Sequence, residues 1–169
     1  GTNWNILSSG TTSFLMSVYF NDTNTGYAVG TDGKIIKTSD GGANWILLNS
    51  GTSNWLGSVY FTDFNTGFAT GYNGTILKTI DAGANWTILT SGTNSELQSV
   101  YFTDFNTGYV VGSTGTILKT TNAGLNWSLS TYGTFYNYFR SVFFTDANIG
   151  YAVGNNGVII RTFDAGVSW

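Results

Sequence analysis

Tryptophan falls at Trp4, Trp45, Trp86, Trp127 and Trp169, at spacings of 41, 41, 41 and 42 residues. A period of this size marks an array of supersecondary units, none able to bury its apolar face alone. On that period SVYFNDTNTGYAVG, SVYFTDFNTGFATG, SVYFTDFNTGYVVG and SVFFTDANIGYAVG fall in one register. So do KIIKTSDGGANW, TILKTIDAGANW, TILKTTNAGLNW and VIIRTFDAGVSW, with the one extra residue of the fourth unit lying in residues 134–138. The units run 5–45, 46–86, 87–127 and 128–169. Together they make one domain, a length of chain that can bury a core.

Each unit reads as four short strands. In the first they are Leu15–Phe20, Gly26–Gly30 and residues 34–38 and 44–48, rich in β-branched and aromatic residues. Nothing recurs at 3.6 residues, and Gly, Thr and Asn interrupt the chain too often for helix. The second and third strands are joined through Asp32-Gly33, Asn73-Gly74, Thr114-Gly115 or Asn156-Gly157. Asn-Gly and Asp-Gly favour the positive φ of a tight hairpin turn. Four antiparallel strands repeated every 41 residues describe an all-β fold, a β-propeller of four four-stranded blades.

The turn after the third strand carries a second pattern. Residues 38–45, TSDGGANW, fit T-x-D-x-G-x-x-W, as do residues 79–86 and 162–169, while the third copy has Asn122 for Asp. The pattern resembles the Asp-box, or BNR repeat, of sialidase-type propellers. The SVYF, TGYAVG, ILKT and GGANW segments together resemble the Ycf48/Hcf136-like propellers more narrowly. That family includes photosystem assembly factors and many secreted bacterial proteins. The resemblance covers the whole chain and speaks to fold more than to function, because one fold hosts many functions.

In the box, Asp40, Asp81 and Asp164, with Asn122, are expected to accept bonds from amides of their own turns. Trp45, Trp86, Trp127 and Trp169 are expected to cover those hairpins, a structural role. The residues that break the repeat are the better candidates for function. Asp32, Lys34, Glu96 and Arg140 are the charges outside the repeated columns. Phe14, Trp55, Glu96 and Tyr138 share one variable position before the innermost strand, and Tyr72 sits in a hairpin tip. The expected recognition face therefore holds Phe14, Asp32, Trp55, Tyr72, Asn73, Glu96, Tyr136, Tyr138, Arg140 and Asn156, opposite the boxes. Exposed aromatic clusters mark protein or sugar contacts, or else these rings plug the central channel.

Composition narrows the function. The chain has no Cys and no His, so a zinc site, a thiol nucleophile and a His-based triad are excluded, and neither metal nor cofactor is expected. Six Lys and Arg against nine Asp and Glu argue against a nucleic-acid surface. No apolar run approaches the roughly 20 residues of a membrane helix. The arginine triad of sialidases is missing, since only Arg140 and Arg161 are present. Asp32 and Glu96 are the one off-column acid pair, so the chain is expected not to be an enzyme. The expected role is a protein-interaction or scaffold module of a secreted or cell-surface bacterial protein. The alternative is a glycan-binding propeller whose aromatics stack on sugar rings. The composition, rich in Thr, Asn and Gly and poor in charge, suits an extracellular setting, in a mature chain opening GTNW without a signal peptide.

The ends suggest how the ring closes. Gly1-Thr2-Asn3-Trp4 aligns with the end of a box, so residues 1–8 read as a closing outer strand without a blade of its own. Trp169 ends a box with no outer strand after it. Exchange of that strand closes the ring within one chain, or head to tail between two chains as an eight-bladed ring. An excerpt of a longer array fits the same ends.

Overall fold

The computed structural model describes residues 1–130 and 137–169. The first unit folds as β1 (Leu15–Phe20), β2 (Gly26–Gly30), β3 (Ile35–Thr38) and β4 (Ile46–Leu48). The second gives β5 (Leu56–Phe61), β6 (Gly67–Gly71), β7 (Ile76–Thr79) and β8 (Thr87–Leu89). The third gives β9 (Leu97–Phe102), β10 (Gly108–Gly112), β11 (Ile117–Thr120) and β12 (Ser128–Leu129). The fourth gives β13 (Phe139–Phe144), β14 (Gly150–Gly154) and β15 (Ile159–Thr162). Each unit is an antiparallel sheet with strands in chain order, four-stranded three times and three-stranded in the last. This is the blade arrangement of a β-propeller.

Two strand starts differ from the sequence reading. Lys34 belongs to the turn, its amide donating to the Thr31 carbonyl at 3.1 Å. Asn44 belongs to the box, its amide donating to Asp40 Oδ1 at 2.9 Å.

Neighbouring blades pack through their inner strands, β1 on β5, β5 on β9 and β9 on β13. The same contacts recur each time. The Tyr27 ring stacks on Phe61 at 4.0 Å between centroids, Phe68 on Phe102 at 4.3 Å and Tyr109 on Phe144 at 4.0 Å. Tyr19, Tyr60 and Tyr101 donate their hydroxyls to the carbonyls of Phe61, Phe102 and Phe144 at 2.9–3.1 Å. Lys37, Lys78 and Lys119 donate to the carbonyls of Ala82, Ala123 and Ala165 at 2.7–2.9 Å. The repeated cation column therefore ties each blade to the box of the next. Burial in these seams pushes the phenols of Tyr27, Tyr60 and Tyr109 up to about 12.

The seam is missing at both ends of the array. Val59, Val100 and Val142 are each 4% exposed, but their counterpart Val18 on the first blade is 61% exposed. Ile35, Ile76 and Ile117 are fully buried, whereas Ile159 on the last blade is 69% exposed. Residues 1–14 form no strand, and among the described residues none pairs with them as the expected closing strand would. The four blades stand as an arc with two open flanks.

Candidate recognition site

In each blade the loops between the first and second strands and between the third and fourth share one face. Gly41 N–H donates to the Asn24 carbonyl across that face at 2.9 Å. The boxes lie there. Asp40 accepts from the Thr38 hydroxyl at 2.8 Å, the Asn44 amide at 2.9 Å and the Asn44 side chain at 2.7 Å. Asp81 and Asp164 repeat this pattern, and Asn122 accepts from Thr120 and the Asn126 amide, each at 3.0 Å. The Asn44 and Asn85 side chains hold the carboxyls of Asp40 and Asp81 below their usual range, and that of Ser168 brings Asp164 down to about 2. Trp45, Trp86, Trp127 and Trp169 set their edges against Phe20, Phe61, Phe102 and Phe144 at 5.8–6.1 Å. Among the described residues no group of three or more acids gathers as a metal site would require.

The opposite face carries the turns between second and third strands. Asp32, Asn73, Thr114 and Asn156 all take φ of 53–58°, and the glycine after each is also left-handed. Two successive positive φ values are what a type I′ turn requires. Each turn is pinned to the residue just before the first strand of its blade. The amides of Thr31, Tyr72, Ser113 and Asn155 donate to the carbonyls of Phe14, Trp55, Glu96 and Tyr138 at 2.8–2.9 Å. The variable column is thus held by backbone bonds that do not depend on its side chains. That leaves the position free to vary.

A bulge next to it supplies a second variable position. Pairing skips Met16 between Leu15 and Ser17, Gly57 between Leu56 and Ser58, Gln98 between Leu97 and Ser99, and Arg140 between Phe139 and Ser141. A bulge leaves its extra residue out of the ladder and re-aims its side chain. Each blade therefore has two variable positions at the same end of its innermost strand, the bulge position of the second blade being Gly57.

These positions converge on blades two to four. The Tyr138 hydroxyl donates to Glu96 and accepts from Gln98 Nε2 at 2.9 Å. The Arg140 guanidinium lies 4.0 Å from the centroid of the Tyr138 ring, and its Nε donates to Asn155 Oδ1 at 3.1 Å. Burial, the Glu96 bond and the nearby Glu96 and Tyr72 push the Tyr138 phenol well above the usual tyrosine range, so it stays a donor. Tyr72 in turn stands 5.2 Å from the Trp55 ring. The result is a band running Trp55, Tyr72, Tyr138, with Glu96 and Arg140 beside the last ring. Next to it a cleft of about 420 Å³ is lined by Ser95, Thr114, Thr116 and Trp127 among others.

Other candidates lie apart. Phe14 is 77% exposed on the first blade, and Asp32 is held there by the Ser13 hydroxyl at 3.0 Å. Asn73 donates to Asn54 at 3.3 Å, and Asn156 is exposed at the tip of the Asn155–Gly157 turn. Tyr136 lies outside the described residues. Gln98 was not singled out from the sequence, although it shares the column of Arg140. The signal lies in the row Met16, Gly57, Gln98, Arg140, a column that varies in every unit.

A family profile described as photosynthesis system II assembly factor YCF48 matches residues 1–87 and again 44–132. The chain belongs to the YCF48 family. Among solved structures, YCF48 bound to D1 peptide is 21% identical with a TM-score of 0.76, covering 94% of this chain and 53% of that one. YCF48 from Cyanidioschyzon merolae is 23% identical with a TM-score of 0.72, covering 88% of this chain and 53% of that one. An ancestral GH74 enzyme is 18% identical with a TM-score of 0.80, covering 98% of this chain and 25% of the enzyme. The chain spans about half the length of the YCF48 structures it matches. No curated protein matches it. At these identities the structural matches speak for the propeller fold alone.

Proposed function

We propose that this chain is a non-enzymatic protein-recognition module that seats a polypeptide segment on the bulge-bearing face, along Trp55, Tyr72 and Tyr138. The convergence of the variable side chains onto one band carries this reading. Two variable positions per blade are an economical way to specify a ligand on a repeated scaffold. The band offers apolar rings flanked by one carboxylate and one guanidinium, which suits a mixed polar and aromatic peptide. The family is that of an assembly factor, and a YCF48 has been captured with a peptide, which supports a protein partner.

Catalysis is disfavoured by the acids themselves. A glycosidase needs two carboxyls across a cleft. Glu96 is engaged by Tyr138 on the third and fourth blades, whereas Asp32 is engaged by Ser13 on the first, with the second blade between them. The composition, poor in charge and rich in Thr and Asn, supports a secreted or cell-surface setting.

Selection of a random-peptide display library tests the proposal. Peptides enriched on the wild-type chain should lose at least tenfold in affinity, about 1.4 kcal/mol, on Trp55→Ala and on Arg140→Ala. Peptides indifferent to both variants contradict the site. A glycan-array signal that vanishes with Trp55→Ala replaces the protein partner with a sugar.

A further inference from the structure

Glycine in this chain is nearly always demanded by the backbone. Among the described glycines from Gly10 onward, all but Gly57 either take φ of 65–92° or would place a Cβ 1.9–2.6 Å from a neighbouring atom. Gly57 does neither. Its φ lies outside the left-handed region, and a Cβ there would meet the Leu97 and Gln98 carbonyl oxygens at 3.5 Å, an ordinary contact. The bulge does not ask for glycine either, since the same column carries Met16, Gln98 and Arg140 in the other blades. A glycine inside a strand costs conformational entropy and packs nothing, and where no turn or clash requires it, it leaves room for a ligand to approach.

The repeat shows what a side chain at this position would touch. On the third blade Gln98 bridges to the next, its Nε2 donating to the Tyr138 hydroxyl at 2.9 Å. Glu96 stands on the third blade where Tyr138 stands on the fourth, so a side chain at position 57 would reach towards Glu96. Glycine there leaves a gap across the seam between the second and third blades. Trp55, 45% exposed, and Tyr72, its ring 5.2 Å from that of Trp55, stand on one side. Glu96 stands on the other, with Oε2 engaged by Tyr138 and Oε1 open to a ligand among the described residues. The floor is the backbone of Gly57 and the carbonyls of Leu97 and Gln98, on a strand whose sheet has β10 as its one neighbour.

We propose that this gap is a subsite for one lysine or arginine side chain of the bound polypeptide. An ammonium or guanidinium group carries donors and no acceptor, and it is drawn to aromatic surfaces. The gap offers it two rings, two carbonyl oxygens and a carboxylate. The aliphatic stem of the side chain lies along Gly57 against Trp55, and its charged head meets Glu96. Arg140 has a separate place, held against Tyr138 and Asn155 on the fourth blade. The subsite rests on the recognition site proposed above and adds a required chemistry to its ligand.

The probes are peptides selected from the display library on the full wild-type chain that weaken on Trp55→Ala. Replacing one Lys or Arg of such a peptide with Gln should weaken binding about tenfold on the wild type and no more than about twofold on Glu96→Gln, which keeps an acceptor for Tyr138. Gly57→Gln copies the third blade's residue into the gap. It should weaken the same peptides about tenfold while the melting temperature stays at or above that of the wild type. A lower melting temperature would mean that packing requires the glycine, and overturns the subsite. Trp55-dependent peptides that carry no cation, or whose cation is indifferent to Glu96→Gln and Gly57→Gln, overturn the subsite and leave the recognition site standing. If no selected peptide depends on Trp55, the recognition site fails and the subsite with it.

Discussion

Thr70 stands where the other three blades carry Val29, Val111 and Val153, and it is fully buried with its hydroxyl unpartnered. A buried polar group without a partner loses its water and gains nothing in return. Thr70→Val should therefore raise stability by about 1 kcal/mol, read as a higher urea midpoint with unchanged slope. A lower midpoint would mean that the hydroxyl has a role the packing does not reveal. Ala82 illustrates the opposite balance. It is held at φ 56° while its carbonyl accepts from both Tyr27 and Lys37. The first blade has Gly41 at the same place. Ala82→Gly should relieve the left-handed strain and stabilise by about 1 kcal/mol, net of the greater chain entropy of glycine. Individual residues were unevenly legible. Arg140 and Tyr138 stood out in sequence as departures from the repeat. Their convergence on Glu96 and Gln98 did not, because it depends on how far apart the inner strands stand.

At the scale of elements, the 41-residue period and the Asn-Gly turns located the strands to within two residues, because turn chemistry and β-propensity agree in every unit. The bulges were not visible, since a bulge is a relation between two strands and leaves no composition of its own. Nor was the fate of residues 3–7, which have the pattern of an outer strand but no sheet in this chain to join. The box makes a prediction that depends on pH. Asp40, Asp81 and Asp164 have folded pKa values below 3.8, so each contributes stability above that pH and loses it as pH falls, down to about 2 for Asp164. The hairpin acids Asp22, Asp63 and Asp104 are lowered too, and lose their contribution over the same acid range. Melting temperature should fall below pH 4, and the fall should be shallower in a triple variant with Asn at positions 40, 81 and 164, as blade three already has with Asn122. An identical fall in that variant would remove the boxes from the acid response.

The whole molecule separates its two tasks by face. One face repeats the same acid and tryptophan in nearly every unit, and there the acids bond within their own turns. The other holds its variable residues by backbone bonds and bulges, so their side chains can differ from blade to blade. That division was legible in the sequence as repeated against broken columns, because a propeller sends alternate loops to opposite ends of its strands. The extent of the band was not, since Phe14 and Asp32 broke the pattern as clearly as Trp55 did but lie on the first blade, away from the others. The most direct measurement is amide hydrogen exchange of the chain with and without its tightest selected peptide. Slowed exchange at residues 55–58, 72–74, 96–99 and 138–141, with the box turns at 39–44, 80–85 and 163–168 unchanged, is the expected result. Protection confined to the box turns would contradict it.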